Sequence, residues 1–182
     1  MTKKYYKKIA VFDLDGTLYR DNSHIEILCD YYNTNFFKSI IFKMIGKVYS
    51  RGQLHLMYYL YNKIPRRYRD NFIPEFSPII VKKLNEKIKN GFFPLIMSSA
   101  PKELLNTASR CLNIGGIKCA RADKHNVLTE KYRYDYLFVC TDNKSDIQLL
   151  ELADEAVITA VPKHREYFRK KLKEGKYIFI DI

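Results

Sequence analysis

The chain has few cysteines, and none of them lies at a metal-binding or redox spacing. Cys29, Cys111, Cys119 and Cys140 form no C-x-x-C pair and no Cys/His cluster. This excludes a disulfide-stapled scaffold and the common structural zinc sites. Three of the four lie in apolar stretches, so we expect buried, reduced thiols in a cytoplasmic protein.

Long apolar runs are also missing. The basic N-terminus is followed by the apolar stretch IAVF, which stops after four residues. A signal peptide or a membrane span needs a longer run. We therefore expect neither here.

Acidic residues are scarce relative to basic ones. The 182 residues include 20 Asp and Glu against 32 Lys and Arg, a formal net charge of +12. Such a surface attracts phosphates, anionic lipid or nucleic acid. Alternatively, many of these lysines lie on outer helix faces and serve mainly solubility.

Short apolar runs alternate with helix-like segments over most of the chain. Continuous runs of this kind suit strands buried on both faces of a parallel sheet. The predicted strands are Lys8–Phe12, Phe93–Ser98, Ile117–Ala122, Tyr136–Thr141, Ala156–Val161 and Tyr177–Ile180. The predicted helices are Ile79–Asn90, Pro101–Leu112, Ser145–Leu152 and Lys163–Glu174. The alternation indicates an α/β, doubly wound (Rossmann-like) parallel sheet.

The segment from about residue 21 to 77 breaks this alternation and predicts a helical insertion after the first strand. In NFFKSIIFKMIGKVY, helical spacing gathers one apolar face: Phe36, Phe37, Ile40, Ile41, Met44, Ile45 and Val48. We expect this face to pack inside the insertion. The alternative is that the helix lies on an anionic membrane surface.

Carboxylates follow the first and fourth predicted strands, and hydroxyls accompany them. Asp13 and Asp15 end the first strand, and Asp142 and Asp146 follow the fourth; the hydroxyls belong to Thr17 and Ser98. Ligand sites in open α/β sheets lie at the carboxyl ends of the strands. This density of carboxylates predicts a binding site for a hard cation. The usual case is Mg²⁺, held by a few carboxylates together with a substrate phosphate. An EF-hand is excluded, because its glycine and final acid positions hold Leu18 and His24, and no phosphate-binding P-loop is present.

The stretches DLDGTL, LIMSSAP and TDNKSDIQLLELADEAVITAVP resemble three motifs of the haloacid dehalogenase (HAD) superfamily. The nearest resemblance is to the phosphoserine-phosphatase-like branch, which has a helical cap after the first strand. It implies a core formed by residues 1–20 and 78–182 and a helical cap formed by residues 21–77. It also implies a Mg²⁺-dependent phosphatase.

By this resemblance Asp13 is the nucleophile and forms an aspartyl-phosphate, while Asp15 protonates the leaving oxygen and then activates water. An acid at the second position is typical of phosphatases and phosphomutases and not of dehalogenases. Ser98 would bind a phosphoryl oxygen. The expected metal ligands are Asp13, Asp15, Asp142 and Asp146. The expected substrate contacts are Gly16, Thr17, Ser99 and, from the cap, Arg51.

The third HAD motif, a lysine that neutralises phosphate and nucleophile, is harder to assign. It normally opens a helix before the fourth-motif strand, and here we expect that helix to be shortened or absent. Lys131 is the first choice and Lys124 the second, with Lys118 and Lys144 as further candidates. The fourth motif also departs from the family, with Thr141-Asp142-Asn143 in place of Gly-Asp-Ser or Gly-Asp-Gly.

The leading function is a phosphatase acting on a small phosphorylated metabolite. Asn22 stands where phosphoserine phosphatases have a substrate-binding glutamate, which argues against phosphoserine itself. The alternatives are a lipid-phosphate phosphatase at a membrane surface, a phosphomutase, and a non-catalytic HAD-fold binding module. No nucleic-acid partner is expected, since no recognised nucleic-acid motif is present.

Overall fold

The computed structural model describes residues 2–182 and is built on one sheet of parallel strands. In chain order the strands are β1 (Lys4–Phe12), β2 (Phe93–Ser98), β3 (Gly115–Lys118), β4 (Tyr132–Thr141), β5 (Glu155–Ile158) and β6 (Tyr177–Phe179). Their spatial order is β3-β2-β1-β4-β5-β6. The order reverses direction at β1, which is the hallmark of a doubly wound sheet. The predicted fold class is confirmed.

Helices cover both faces of this sheet, as the continuous apolar strands require. The helices are α1 (Ser23–Tyr31), α2 (Ile40–Val48), α3 (Ser50–Lys63), α4 (Arg66–Asn71), α5 (Pro78–Lys89), α6 (Lys102–Leu112), α7 (Lys124–Lys131), α8 (Ile147–Leu152) and α9 (Pro162–Lys171). Val11 points to the face covered by α7, α8 and α9. Its neighbours Ala10 and Phe12 point to the face covered by α5 and α6. Successive side chains of β1 thus pack in two separate apolar cores, one on each face of the sheet.

The region before β4 differs from the sequence prediction. The helix that was expected to be shortened or absent is present as α7, which is eight residues long and runs directly into β4. β4 begins at Tyr132 instead of Tyr136, because its first residues pair with an equally extended start of β1, Lys4 opposite Tyr132. In this half-exposed extension tyrosines alternate with Arg133 and Asp135, so it is not a continuous apolar run and was not predicted as strand.

Helices α1 to α4, which we call the cap, enclose an apolar cluster that Leu104 of α6 joins from the core. Ile27, Phe37, Phe42, Met57 and Tyr61 are buried in it. The predicted packing of α2 is wrong: most of its apolar face is exposed, and the helix packs through Phe42 instead. Within residues 2–182, no helix is long and apolar enough to cross a bilayer.

Candidate active site

The turn after β1 places Asp13 at the switch point of the sheet, beside the end of β4. The amide of Asp13 donates to the Cys140 carbonyl at 2.8 Å, which continues the β1–β4 pairing by one residue. Its carboxylate is buried, and Oδ1 accepts from the Leu14 amide at 2.8 Å. The strand pairing therefore fixes both the position and the orientation of this acid.

The lysine beside Asp13 is Lys124, the first residue of α7. Its Nζ lies 2.8 Å from Asp13 Oδ1 and 2.6 Å from Asp146 Oδ2. Burial disfavours the charged ammonium, but the carboxylates of Asp13 and Asp146 outweigh it, so the pKa of Lys124 is raised and the side chain is cationic. The Thr141 hydroxyl donates a hydrogen bond to Asp146 Oδ2 at 2.6 Å and so fixes the second carboxylate that pairs with Lys124.

The other lysine candidates make different contacts, although Lys144 lines the same cavity as Asp13. Lys131, the first choice from sequence, is exposed at the end of α7 opposite Lys124. The helix is eight residues long, so about 10 Å of axial rise separates its ends. Lys118 donates to the Ala100 carbonyl at 3.0 Å, and the ammonium of Lys144 lies over the Tyr167 ring.

Asp142 adds a further carboxylate, and Gly16 makes room for it. Gly16 has φ +66°, and a Cβ atom there would lie 2.5 Å from Asp142 Oδ2. Any other residue would therefore be strained and would displace that carboxylate. Burial, followed by repulsion from Asp13, raises the pKa of Asp142 to about 7. The negative charge that Asp13 and Asp142 concentrate here is only partly balanced by Lys124.

The donor set around Asp13 fits Mg²⁺. In the described residues 2–182, no three His, Cys, Asp or Glu side chains converge tightly enough to form a metal cluster by themselves. Mg²⁺ does not need one, because it is usually held by one or two carboxylates, waters and substrate phosphate. Asp13 and Asp142 offer that pair, and their repulsion is what a cation would relieve. Asp146 Oδ1 is buried without a hydrogen-bond partner, so it could accept from a metal-bound water.

Asp15 is held by the start of the cap. Its Oδ1 accepts from the amide of Ser23, the first residue of α1, at 2.8 Å. Burial raises the pKa of Asp15 to about 6, although the Ser23 hydrogen bond acts in the opposite direction. The structure thus places the Asp15 side chain where it can exchange a proton near neutral pH, in the same cavity as Asp13 and Asp142.

The predicted hydroxyl residues divide into two groups. Ser98 is buried at the end of β2, where its Oγ accepts from the Ala100 amide at 3.1 Å. Ser99 is partly exposed and lines the cavities described below. Thr17 is fully buried, with its Oγ1 3.3 Å from Thr159 Oγ1. The structure therefore places Thr17 in the turn and out of reach of a substrate.

Two adjoining cavities open beside these groups. One, of about 560 Å³, lies between core and cap, and its wall includes Asp15, Ser99 and the predicted cap residue Arg51. The other, of about 670 Å³, contains Asp13, Asp142 and again Asp15 and Ser99. The two cavities share wall residues and therefore adjoin, with the carboxylates in the wall of one and the underside of the cap in the wall of the other.

Two wall residues were missed from the sequence. Arg121 lines both cavities, and its charge acts on Asp15. It follows β3, so the rule that strand ends carry ligand residues could have found it. His24 lines the cap-side cavity, and its Nε2 lies 3.2 Å from the Met57 carbonyl. Burial lowers the pKa of His24 to about 4, so the ring is neutral.

Comparison with known proteins gives no match to a protein-family model and no significant match among curated proteins. Solved structures do match. A protein of unknown function from Bordetella pertussis Tohama I superposes with a TM-score of 0.71 at 13% identity, with 99% of each chain covered.

Two further structures carry names. A phospho-aspartyl intermediate analogue of phosphoserine phosphatase gives a TM-score of 0.60 at 16% identity and covers 90% of this chain and 91% of that one. A HAD family hydrolase from Salmonella enterica subsp. enterica serovar Typhi gives 0.64 at 15% identity, covering 88% of this chain and 65% of that one. At these identities the likeness concerns the fold, and the chain has a HAD-like fold.

Proposed function

We propose that the chain is a Mg²⁺-dependent phosphatase that hydrolyses a small phosphomonoester through an aspartyl-phosphate. The observation that carries the proposal is the buried pairing of Lys124 with Asp13 beside a second carboxylate, Asp142. A non-catalytic binding module would gain nothing from burying these charges together. The fold neighbours include a phosphoserine phosphatase captured as a phospho-aspartyl analogue, which supports the same chemistry.

In the first step an Asp13 carboxylate oxygen attacks phosphorus. The bond between phosphorus and the leaving oxygen breaks, and that oxygen takes the proton of Asp15. The pKa of Asp15, near 6, makes the acid available in mildly acidic to neutral solution. Lys124 holds the Asp13 carboxylate in place and neutralises part of the charge that gathers as the phosphoryl group approaches.

In the second step water attacks the phosphorus of the aspartyl-phosphate. Asp15, now ionised, accepts the proton of that water, and the Asp13 carboxylate is released with inorganic phosphate as the product. Asp13 and Asp142 would hold Mg²⁺, with the main-chain carbonyl of Asp15, and the ion would screen the anionic nucleophile from the anionic substrate. Ser98 ends β2 and Ser99 follows it, where both can position phosphoryl oxygens.

The substrate is expected to be a phosphorylated metabolite that fits beneath the cap. Arg51 and Arg121 face the cavity and can pair with a second anionic group of the substrate. The apolar part of the wall, Ile25, Leu54 and Met57, admits an aliphatic portion. This mixed lining also keeps a lipid phosphate as a second candidate substrate.

The proposal is tested by phosphate release from a panel containing phosphoserine, glycerol phosphate, sugar phosphates and lysophosphatidic acid. Each substrate is measured with Mg²⁺ and with EDTA, for the wild type and for Asp13→Asn. We expect Mg²⁺-dependent release from at least one compound and none from the variant. Conversion of a sugar phosphate to its isomer without phosphate release would identify a phosphomutase instead. No turnover of any compound by the wild type would contradict the proposal.

A further inference from the structure

Helix α2 presents an unusually large apolar surface to solvent. Five side chains of this helix are exposed: Ile40 by 76%, Ile41 by 65%, Met44 by 60%, Ile45 by 43% and Val48 by 90%. We call these five residues the α2 face. Single exposed apolar residues are ordinary on a protein surface, but a contiguous group of this kind marks an interaction site.

The α2 face is the side of the helix that the cap leaves uncovered. At about 100° per residue, its five members occupy one continuous arc, and Phe42 lies on the opposite side. Phe42 is buried in the cap cluster, and its carbonyl accepts from Gln53 Nε2 of α3 at 2.6 Å. The helix is therefore already docked on the cap through its other side, so the exposed arc is not needed for that packing.

The charges around the α2 face have one sign. Lys43 and Lys47 are exposed and border the apolar arc on one edge. The whole stretch from residue 31 to 69 has no Asp or Glu, while it has eight basic residues: Lys38, Lys43, Lys47, Arg51, Lys63, Arg66, Arg67 and Arg69. A partner that covers this surface must offer both apolar contact and negative charge.

We propose that the α2 face docks on an anionic phospholipid bilayer, with α2 parallel to the surface and Lys43 and Lys47 among the headgroups. An apolar arc bordered by lysines is the pattern of helices that lie at membrane interfaces. A second copy of the chain fits less well, because it would bring Lys43 and Lys47 close to their own counterparts in a protein of net charge +12. The bilayer supplies the apolar and the anionic components together.

The docking surface is linked to the proposed active site but does not depend on its chemistry. Gln53, which holds α2, and its neighbour Leu54 also line the cap-side cavity. A cap held at a bilayer would therefore keep that cavity close to the lipid surface. Membrane binding can be measured whether or not the chain hydrolyses phosphate.

The test uses sedimentation with vesicles of phosphatidylcholine alone or mixed in equal parts with phosphatidylserine. The wild type should sediment with the anionic vesicles only. Lys43→Glu/Lys47→Glu should weaken this binding at least roughly thirtyfold, about fivefold for each lysine removed and more for reversal. Lys38 is left unchanged, because it pairs with Glu26 at 2.6 Å. The matched control is Lys171→Glu/Lys173→Glu, which changes the net charge equally on exposed residues outside the cap.

A fluorescence measurement locates the contact. The chain has no tryptophan, so Ile41→Trp introduces a single reporter on the α2 face. Its emission should shift to the blue with anionic vesicles, whereas Ile178→Trp, exposed on β6, should not respond. The apolar contribution is tested by Ile41→Ser/Met44→Ser/Val48→Ser, which should lose binding while keeping the wild-type circular dichroism spectrum.

Several results would overturn the proposal. One is absence of the wild type from the anionic vesicle pellet at low salt. Another is equal loss of binding in the Lys171/Lys173 control, which would mean unspecific attraction to the basic surface. Self-association of the wild type that the triple serine variant abolishes would identify a second copy as the occupant. Retained binding by that serine variant would exclude insertion of the α2 face.

Discussion

Replacing Asp142 by asparagine should stabilise the metal-free protein while removing its response to Mg²⁺. Burial and the neighbouring Asp13 raise the pKa of Asp142 from 3.8 to about 7. The folded protein therefore keeps a proton on Asp142 at pH values where the unfolded chain has lost it. This contribution to stability is complete below the unfolded pKa and is lost as the pH rises through about 7.

The magnitude follows from the same shift. Each pKa unit corresponds to about 1.4 kcal/mol, so near pH 8 ionised Asp142 costs the folded state roughly 4 kcal/mol. Asparagine carries no charge and avoids most of this cost. We expect a gain of about 2–4 kcal/mol in the free energy of unfolding, or about 5–15 °C in Tm for a chain of this size. Near pH 4 the two proteins should differ little.

Differential scanning fluorimetry at both pH values, with EDTA and with Mg²⁺, measures this directly. The wild type should gain stability with Mg²⁺ chiefly at the higher pH, because the metal binds the ionised carboxylates. Asp142→Asn should not respond to Mg²⁺. Glu130→Gln, at an exposed acid on α7, is the matched control and should behave as the wild type. Equal wild-type and Asp142→Asn melting temperatures near pH 8 in EDTA would refute this electrostatic reasoning.

The remaining predictions concern single side chains of the site. Lys124→Met should lower kcat about 10²–10³-fold, because it removes a charged donor beside Asp13. Lys131→Met should retain wild-type turnover. Equal loss of activity in both variants would refute Lys124 as the lysine of the site. Asp15→Asn should lower the rate about 10²–10⁴-fold with an alkyl phosphate, and less with p-nitrophenyl phosphate, whose leaving group needs no proton. In the wild type, kcat/KM for the alkyl phosphate should fall as the pH rises above about 6, because Asp15 loses its proton. Asp15→Asn should not show this fall. The same pH dependence in both proteins would exclude Asp15 as the general acid. Gly16→Ala should abolish activity, whereas Gly175→Ala, at a similar positive φ but with no atom within 4 Å of the added Cβ, should not; activity retained by Gly16→Ala would contradict the close approach of Asp142.

The sheet was predictable because its strands are buried on both faces and therefore appear as continuous apolar runs. β2, at Phe93–Ser98, has the predicted bounds. The strand ends then pointed to Asp13, Asp15 and Asp142, since parallel strands bring their carboxyl ends to one edge. These features are local in sequence, so the sequence alone sufficed for them.

Lys124 and the orientation of α2 depend on contacts that are distant in sequence. The chain has many lysines, and the residues next to Lys124 in sequence do not distinguish it from the others. Its one unusual feature is that it opens a helix, where a cation is unfavourable unless an acid compensates it. The acids that do so, Asp13 and Asp146, come from two other segments. Likewise periodicity identifies the apolar arc of α2, but which side of the helix is buried depends on the cap, and the structure buries Phe42 instead of that arc.

Trapping the phosphorylated enzyme tests most directly whether Asp13 is the nucleophile. The wild type is mixed with a turned-over substrate and Mg²⁺, quenched in acid within the first turnovers, digested and examined by mass spectrometry. We predict one added phosphoryl group on the peptide that contains Asp13, and none in Asp13→Asn or with EDTA. Turnover by Asp13→Asn at the wild-type rate, or a phosphoryl group on another residue, would contradict Asp13 as the nucleophile.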